Sequence, residues 1–507
     1  MLAFFVVVYL LLTIGIGFYA TRFIKNTNDF VNTGRGLPFV FNSFALFALW
    51  FGAETVFGAS GRFVENGLIG VIEDPLGSAL CLVLYGLFFA RPLYKRNILT
   101  LGDLFAKAYG KRVEVVSSVL MLFTFFGFVA AQLVALAISL NIIFGIDQQW
   151  AILISSVIVT VYTFFGGMWA ISISDFIQSI VIILGLGTLA WLMVSEVGGI
   201  HEVIAQAPDN HFQFFPDRDP HAVNEWVSAW FVIGLGSLAS QDVFQRINAA
   251  RNVRSAVAST YVGATMYLIL SVLPLTIALC ARLLYPEIMN GDVDLQEVIP
   301  QMVLGHSPLF VQIMFFGALL SAIMSTCSGA LLAPSTILAE NIMKSFTQKT
   351  GTKLHLVTVK ISILIVSVIS TVMAMGNNDI YELVGDSSIV ALVCILVPTF
   401  AAIYHKRPSV FGCYGAMGLG LIIWALRQYA GVIAGWTGSD LWAAYDAIPL
   451  SAWIIGPVGS VAGYFLGWWL EYALGRRRTT APRYLSVGFR TRLRERGHRS
   501  ALRCHAI

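Results

Sequence analysis

Long apolar stretches separated by short polar segments run along almost the whole chain. A membrane-spanning helix needs about 20 mostly apolar residues, and thirteen stretches reach that length. They are residues 1–22, 38–66, 70–94, 113–142, 147–166, 170–195, 222–245, 254–284, 300–343, 355–376, 380–404, 408–430 and 447–475. The pattern predicts an all-α polytopic membrane protein with 13 transmembrane helices. The first stretch lacks both a preceding basic residue and a small-x-small cleavage site, so we expect a retained helix rather than a signal peptide.

Glycine interrupts two of these stretches at matching positions. The glycines are Gly52, Gly58 and Gly61 in the second stretch and Gly234 and Gly236 in the seventh. Each of the two stretches opens a unit of five spans, residues 38–195 and residues 222–404, and because five is odd the second unit is inverted relative to the first. Broken helices at corresponding places in two halves of a chain indicate the binding site of a secondary transporter. Close helix packing is the alternative for each single glycine.

The distribution of basic residues predicts the orientation of the chain. Loops after odd-numbered spans, together with the segment after Gly475, hold 27 Lys and Arg residues, whereas loops after even-numbered spans hold three. Because basic residues accumulate on the cytoplasmic side, we expect the N-terminus outside and the C-terminus inside the cell (inner or plasma) membrane. The ten arginines after Gly475 are expected to contact anionic lipid rather than nucleic acid.

The expected organisation has six parts in chain order. They are a first transmembrane helix with its cytoplasmic loop, inverted repeat 1, an extracytoplasmic loop, inverted repeat 2, two C-terminal transmembrane helices and an Arg-rich cytoplasmic tail. Their ranges are 1–37, 38–195, 196–221, 222–404, 405–475 and 476–507. No soluble module and no G-x-x-x-x-G-K-[ST] loop is predicted in any of them, which argues against ATP as the energy source.

Composition excludes a water-soluble enzyme. Hydrophobic residues make up 57% of the chain and charged residues 12%, against about 25% charged residues in a typical soluble domain. So few charges cannot cover a water-facing surface of this size. The six cysteines contain no C-x-x-C pair and the eight histidines show no ligand spacing, so neither a disulfide framework nor a transition-metal site is predicted. No catalytic constellation is predicted either.

Several charged side chains fall inside the predicted spans. They are Glu54, Arg62, Asp74, Asp175 and Asp242. A charge within the membrane is costly and is by default functional. Glu54 lies in the middle of the interrupted second span, and Asp242 lies in the second half of the interrupted seventh span. These places favour a role in a binding site, with a structural ion pair between helices as the alternative.

Four motifs in order resemble the sodium/solute symporter family (solute carrier 5-like). They are YTFFGGMWAISISDFIQS at 162–179, QDVFQR at 241–246, SAIMSTCSGALLAPSTILAENIMK at 321–344 and VPTFAAIYHKRPSVFGCYGAMG at 397–418. The resemblance reaches from the first span to about residue 475. It implies a LeuT-like 5+5 inverted repeat with one extra N-terminal and two extra C-terminal helices. It also implies Na⁺ as the coupling ion, without any other cofactor.

Within this family, two segments are most similar to the high-affinity choline transporter branch. They are WFGAETVFGASG at 50–61 and GLFFARPL at 86–93. That branch holds choline in an aromatic cage, in agreement with cation–π attraction. The resemblance puts Trp50 at one cage position and Ser78, Val129 and Ser240 at the others. These residues favour a small polar or zwitterionic solute over choline.

The resemblance also implies a sodium site. Its ligands are the backbone carbonyl oxygens of Ala48, Phe51 and Ala322 and the hydroxyls of Ser325 and Thr326. Sodium prefers oxygen ligands, and a broken helix supplies free carbonyls. The two hydroxyls have an alternative role, which is bonding to carbonyls of their own helix. Asp175 resembles a residue that receives sodium on its way out, with capping of its helix as the alternative.

The solute pocket is expected beside this site, with Trp50 as a gate or platform. The implied lining residues are Trp50, Glu54, Thr55, Asp74, Ser78, Ser240 and Gln241. The predicted function is an Na⁺/solute symporter that imports a small polar organic solute by alternating access. The solute class is left open among an amino acid, a choline-like compound, a sugar and a carboxylate. A solute-sensing module of the same fold and a channel are the alternative functions.

Overall fold

A computed structural model describes residues 1–286, 298–345, 352–376, 379–437, 441–442, 445, 448 and 450–475. These residues are helical and contain no strand, apart from one isolated bridge between Leu37 and Ala250. The Arg-rich segment 476–507, for which we predict a cytoplasmic tail, lies outside the described residues.

The α-helices are numbered in chain order. They are α1 (Leu2–Ala20), α2 (Thr27–Asn32), α3 (Phe39–Phe47), α4 (Ala59–Asn66), α5 (Ser78–Leu84), α6 (Arg91–Lys95), α7 (Leu101–Tyr109), α8 (Lys111–Phe144), α9 (Gln148–Val197), α10 (Ile200–Ala205) and α11 (Pro220–Ala229). They continue with α12 (Gln241–Ala249), α13 (Val253–Leu284), α14 (Val298–His306), α15 (Leu309–Ile337), α16 (Thr352–Gly376), α17 (Ile380–Val390), α18 (Leu396–Tyr404), α19 (Val410–Gln428), α20 (Ala430–Thr437) and α21 (Ala452–Ala473). Wider π-helical turns join several of them, at Glu54–Gly58, Ile72–Gly77, Tyr85–Ala90, Trp230–Leu235, Leu338–Ile342 and Ala391–Ile395. Tighter 3₁₀ turns lie at Thr21–Phe23, Thr33–Arg35, Gly67–Val71, Gly236–Ala239 and Met343–Ser345.

The described part of the chain holds 11 helical segments that are long and apolar enough to cross a membrane. We predicted thirteen, and the difference comes from two long segments. Glu54–Lys95 has 42 residues and Gln148–Val197 has 50, whereas one crossing needs about 20. Each long segment joins neighbouring apolar stretches of the sequence. The chain is therefore a multi-pass, all-helical membrane protein.

Both long segments contain a break in the backbone. Gly67 has φ 64° and ψ −150°, and Gly167 has φ 51° and ψ −156°. Neither conformation continues an α-helix. The helix is therefore interrupted at each of these two glycines, and no long loop separates the helical parts on either side.

Gly167→Ala is expected to destabilise the protein by about 1–3 kcal/mol, because only glycine adopts this backbone conformation without strain. An added Cβ would also lie 2.6 Å from the carbonyl oxygen of Phe30. Thermal unfolding of the purified protein in detergent measures the loss. Gly187→Ala in the same helix is the control, since its Cβ would meet nothing within 4 Å. Equal melting temperatures for the two variants would contradict the prediction.

The two spans that the glycine pattern marks as interrupted are indeed broken. The chain leaves the α-helical conformation after Phe47, at the end of α3, and resumes helical turns near Glu54. In the seventh span, Ser240 has the extended conformation, with φ −85° and ψ 137°, between a 3₁₀ turn and α12.

Helix α15 lies at the centre of the molecule. Every residue from Ala318 to Ile337 is buried, and the helix packs against α8 and α9. Such all-round burial is typical of a central helix. Its serine and threonine side chains can therefore contact only other protein groups or solutes that reach the interior.

Candidate functional site

The break after α3 lies directly against α15. The hydroxyl oxygens of Ser325 and Thr326 both lie within hydrogen-bond distance of the carbonyl oxygen of Ala48, at 3.3 and 3.2 Å. The structure thus brings together three of the five predicted sodium ligands. The other two, Phe51 and Ala322, are fully buried in the same two elements. The arrangement offers carbonyl and hydroxyl oxygens in one place, as a sodium ion requires.

The broken segment can approach α15 so closely because residue 52 is a glycine. A Cβ on Gly52 would lie 2.6 Å from Thr326 Oγ1 and 2.7 Å from Gln132 Oε1. The same amide oxygen of Gln132 accepts a hydrogen bond from the backbone nitrogen of Ala53 at 3.0 Å. Gln132 was not among the predicted site residues, although a polar side chain in the middle of an apolar span is a recognisable signal.

Asp175 belongs to the same cluster. Its Oδ1 accepts a hydrogen bond of 2.6 Å from Ser325, and its Oδ2 lies 3.6 Å from Nη2 of Arg246. All three side chains are fully buried. The prediction placed Asp175 on a sodium-release path near one end of its span, whereas the structure places it in contact with a predicted sodium ligand.

Arg246 is a functional candidate that the sequence analysis missed. Its Nε donates a hydrogen bond of 2.8 Å to the carbonyl oxygen of Ala45, and the side chain is fully buried. On the sequence it directly follows the span 222–245, so it is one of the 27 basic residues assigned to the cytoplasmic side. Its neighbours in the motif QDVFQR also point inward, since Gln245 donates to Thr336 at 2.9 Å.

A small cavity of about 30 Å³, large enough for a water molecule, lies beside this cluster. Its walls come from both interrupted spans and from α8 and α17. The lining residues are Trp50, Glu54, Thr124, Phe125, Phe128, Ile233, Gly236, Ser237, Ser240, Asp242, Val384, Ser387, Ser388 and Ala391. The lining contains two carboxylates and three aromatic rings but no Lys, Arg or His. Such a wall attracts a positively charged group.

Trp50 and Asp242 are joined across the cavity. The indole nitrogen of Trp50 donates to Oδ2 of Asp242 at 3.3 Å. Ser240 and the backbone nitrogen of Val243 donate to Oδ1 of the same carboxylate. These bonds connect the break of the second span to the break of the seventh.

The other four predicted solute residues have hydrogen-bond partners outside the cavity lining. Thr55 and Ser78 donate to Asp74 at 2.8 and 2.6 Å, and Tyr267 donates to Asp74 at 2.7 Å. This carboxylate has three hydroxyl partners and is fully buried, so its acceptor atoms are already in use. Gln241 accepts a hydrogen bond of 2.8 Å from the backbone nitrogen of Leu101. None of the four predicted residues is among those that line the cavity.

Phe125, Phe128 and Tyr267 were also missed by the sequence analysis. Each stands in a long apolar span in which aromatic residues are frequent, so nothing in the local pattern distinguishes them. Among the described residues, no group of three or more His, Cys, Asp or Glu side chains is arranged to hold a metal ion. A site for Na⁺ does not require one, because neutral oxygens can supply its ligands.

Comparisons with known proteins place this geometry in context. The model of the Sodium:solute symporter family matches residues 30–422. The chain is 25% identical over 438 residues to the high-affinity choline transporter 1 of Drosophila melanogaster, which covers 84% of this chain and 70% of the relative. It is 24% identical over 438 residues to the osmoregulated proline transporter OpuE of Bacillus subtilis (strain 168), covering 82% of this chain and 87% of the relative.

One solved structure shares the fold over almost the full length. It is the substrate-bound outward-open state of a Na⁺-coupled sialic acid symporter, with a TM-score of 0.73 and 19% sequence identity. The match covers 92% of this chain and 97% of the symporter. A second structure with the same overall fold, of the nucleobase-cation symporter Mhp1 in a closed conformation, has a TM-score of 0.59 and 16% identity.

Proposed function

Because the chain belongs to the sodium:solute symporter family, we propose that it couples the entry of Na⁺ to the import of a small organic cation. The observation that carries this proposal is the pairing of two sites in the broken second span. Ala48 faces the hydroxyls of α15, and Trp50 and Glu54 line a cavity with two carboxylates and no basic residue. The relatives named as choline transporters support a cationic solute.

The sodium site is proposed at Ala48, Phe51, Ala322, Ser325 and Thr326. A sodium ion between the carbonyl of Ala48 and the two hydroxyls would replace the hydrogen bonds that now join them, because hydroxyl oxygens can turn their lone pairs to a cation. Asp175 adds a negative charge within hydrogen-bond distance of Ser325. This carboxylate is positioned to receive the ion when it leaves the hydroxyls.

Coupling follows from the short chain distance between the two sites. Ala48 precedes Trp50 by two residues and Glu54 by six, and all three belong to one interrupted span. An ion that holds Ala48 against α15 therefore also orders the cavity wall. Since binding free energies are linked, the solute must strengthen sodium binding by the same factor. The sodium gradient supplies enough free energy to accumulate a solute. One Na⁺ crossing about 100 mV yields roughly 2.3 kcal/mol, and a tenfold sodium gradient adds about 1.4 kcal/mol.

Uptake by the purified protein in proteoliposomes tests this function. With an inward Na⁺ gradient, labelled small organic cations are expected to accumulate saturably, and replacing Na⁺ by K⁺ is expected to abolish accumulation. Flux without saturation or sodium dependence would instead indicate a channel. Sodium-dependent binding without uptake would indicate a sensor.

Trp50→Ala is expected to weaken solute affinity about 2- to 30-fold, because a cation held against an indole ring gains about 0.5–2 kcal/mol. Trp50→Phe should lose less, since a ring remains, although its hydrogen bond to Asp242 is removed. The half-saturating solute concentration for uptake is the measurement. Trp150→Ala is the control, because that indole is 65% exposed on the outer surface of α9. An unchanged uptake constant in Trp50→Ala would place the solute elsewhere.

We further propose 13 crossings arranged as two inverted five-span repeats, residues 38–195 and 222–404, with one helix before and two after. The breaks at Gly67 and Gly167 support this count, because they allow each long segment to cross twice. The excess of basic residues supports an N-terminus outside and a C-terminus inside the cell membrane.

Cysteine labelling tests the orientation. An impermeant maleimide applied outside intact cells is expected to label Asp217→Cys but not Lys107→Cys, since both positions are exposed and we propose that they lie on opposite sides of the membrane. Permeabilised cells should label both and so provide the control. Labelling of both variants in intact cells would contradict the proposed topology.

A further inference from the structure

The carboxylates of Glu54 and Asp242 both line the cavity, but they differ in their hydrogen-bond partners. Asp242 accepts hydrogen bonds from Trp50, Ser240 and the backbone of Val243. Glu54 is only 2% exposed, and its Oε1 has no hydrogen-bond partner among the described residues. The cavity therefore contains a buried acceptor that its own walls do not satisfy.

A buried carboxylate of this kind has a definite chemical requirement. Ionised carboxylates accept hydrogen bonds and donate none, and leaving them unpaired away from water is costly. The cavity lining contains no Lys, Arg or His, so a bound solute with a positive charge and N–H donors would supply what this carboxylate lacks. A quaternary ammonium supplies charge but no N–H group, whereas a primary ammonium supplies both.

Resting on the function proposed above, we infer that this cavity selects ammonium solutes that carry N–H donors and discriminates against quaternary ammonium solutes. Glu54 is the residue that determines this specificity. Three rings, those of Trp50, Phe125 and Phe128, provide contact for the carbon atoms next to the ammonium. Four serine hydroxyls on the wall suit a polar group on the same solute. They belong to Ser237, Ser240, Ser387 and Ser388.

The size of the effect follows from the hydrogen bond that only one class of solute can make. A charge-assisted hydrogen bond contributes about 1.5–3 kcal/mol, which corresponds to roughly a 10- to 100-fold difference in affinity. A site built to hydrogen-bond its solute also rejects analogues without the donor, because its buried acceptor then stays unpaired. Size alone produces no such preference between solutes of equal volume.

Choline and protonated valinol form a suitable pair of probes, because they are isomers with the same charge and one hydroxyl each. Only valinol carries N–H donors. Binding of each to the purified full-length protein is measured by calorimetry in Na⁺ and in K⁺ buffers. In Na⁺, the wild type is expected to bind valinol about 10- to 100-fold more tightly than choline.

Variants assign the preference to one carboxylate. Glu54→Gln removes a negative charge that attracts both cations, but only valinol also loses a charge-assisted hydrogen bond. It is therefore expected to weaken valinol binding more than choline binding, so that the two affinities converge. Glu65→Gln is the matched control, because Glu65 follows in the same span, is exposed and does not line the cavity. It is expected to keep the wild-type preference. The binding of ²²Na⁺ to each variant shows that the protein is folded.

The remaining outcomes contradict either this inference or the proposed class of solute. Sodium-dependent choline binding as tight as valinol binding would overturn the inference and leave the proposed symport of an organic cation intact. Unchanged valinol affinity in Glu54→Gln would also overturn it, since this carboxylate would then not hold the ammonium. Failure of both probes to bind in Na⁺, with normal ²²Na⁺ binding, would overturn the cationic solute class itself.

Discussion

Ser325→Ala and Thr326→Val are each expected to raise the sodium concentration for half-maximal uptake by about 10- to 100-fold. Each change removes one oxygen from a small shell in a buried site, where a contact to a charged group contributes about 1.5–3 kcal/mol. Both hydroxyls contact the carbonyl of Ala48, and neither is accessible to water. Sodium-dependent uptake in proteoliposomes measures the effect.

The control for this prediction lies in the same helix. Ser328 is fully buried but donates to the carbonyl of Ser325, three residues earlier in its own helix. Ser328→Ala is therefore expected to leave the sodium requirement unchanged. Thr326→Ser keeps the hydroxyl and should behave like the wild type. An unaltered sodium dependence in Ser325→Ala and Thr326→Val would mean that coupling resides elsewhere.

Linkage separates a sodium-site defect from a cavity defect. At fixed sodium, Ser325→Ala and Thr326→Val should bind solute more weakly, because the two ligands stabilise each other's binding. Saturating sodium should restore the solute affinity of these variants. A cavity variant such as Trp50→Ala should not recover, since its loss is independent of the ion.

Arg246→Met is expected to destabilise the folded protein by about 3–5 kcal/mol. Removing one partner of a buried ion pair leaves the other charge uncompensated away from water. In this case the remaining charge is Asp175, which is fully buried 3.6 Å from the guanidinium. The hydrogen bond from Arg246 to the carbonyl of Ala45 is lost as well. The yield of monodisperse protein and its thermal unfolding measure the effect.

A double variant tests the cause of the destabilisation. Arg246→Met combined with Asp175→Asn removes both charges and is expected to recover a substantial part of the stability. Arg251→Met removes an exposed arginine only five residues away and should have little effect. If the double variant is as unstable as Arg246→Met alone, the loss comes from packing or from the bond to Ala45 rather than from the unpaired carboxylate.

Helix α12 connects the two sites physically. Arg246 and Asp242 are one turn apart on this helix. Arg246 contacts Asp175 beside the proposed sodium site, and Asp242 contacts Trp50 at the cavity. A shift of this helix would change both sites together. The double variant should therefore also weaken the dependence of solute affinity on sodium, even where stability is regained.

The sequence was sufficient to predict the membrane class, the helical fold and the family. Long apolar stretches and scarce charges follow from the solvent, because lipid accepts only helices or closed barrels with satisfied backbone groups. The two interruptions were predictable because clustered glycines and a carboxylate coincide in each of these spans, and charges inside a span are rare unless they form a site. The residues around Ala48, Ser325 and Thr326 came from motif resemblance, and the structure brings them together.

The partners of the buried polar groups were decided only by the tertiary structure. Ser325 meets Ala48 across 277 positions, and Tyr267 meets Asp74 across 193. Neither pairing leaves a local pattern, because each depends on how distant helices cross. Thr55, Asp74 and Ser78 are all predicted at the solute pocket, and in the structure both hydroxyls donate to Asp74, since a buried carboxylate binds the nearest hydroxyls.

The same reason explains Glu54 and Arg246. On the sequence, each is a charged residue in or beside an apolar span. The hydrophobic pattern of the spans does not indicate which charged residue will have a hydrogen-bond or ion-pair partner. The fold gives Arg246 the carboxylate of Asp175 and the carbonyl of Ala45, while it leaves Oε1 of Glu54 without a partner among the described residues. Hydrophobicity is a property of whole helices and can be recognised in the sequence. Hydrogen bonds form only between atoms about 3 Å apart, so their partners are determined only once the helices are packed.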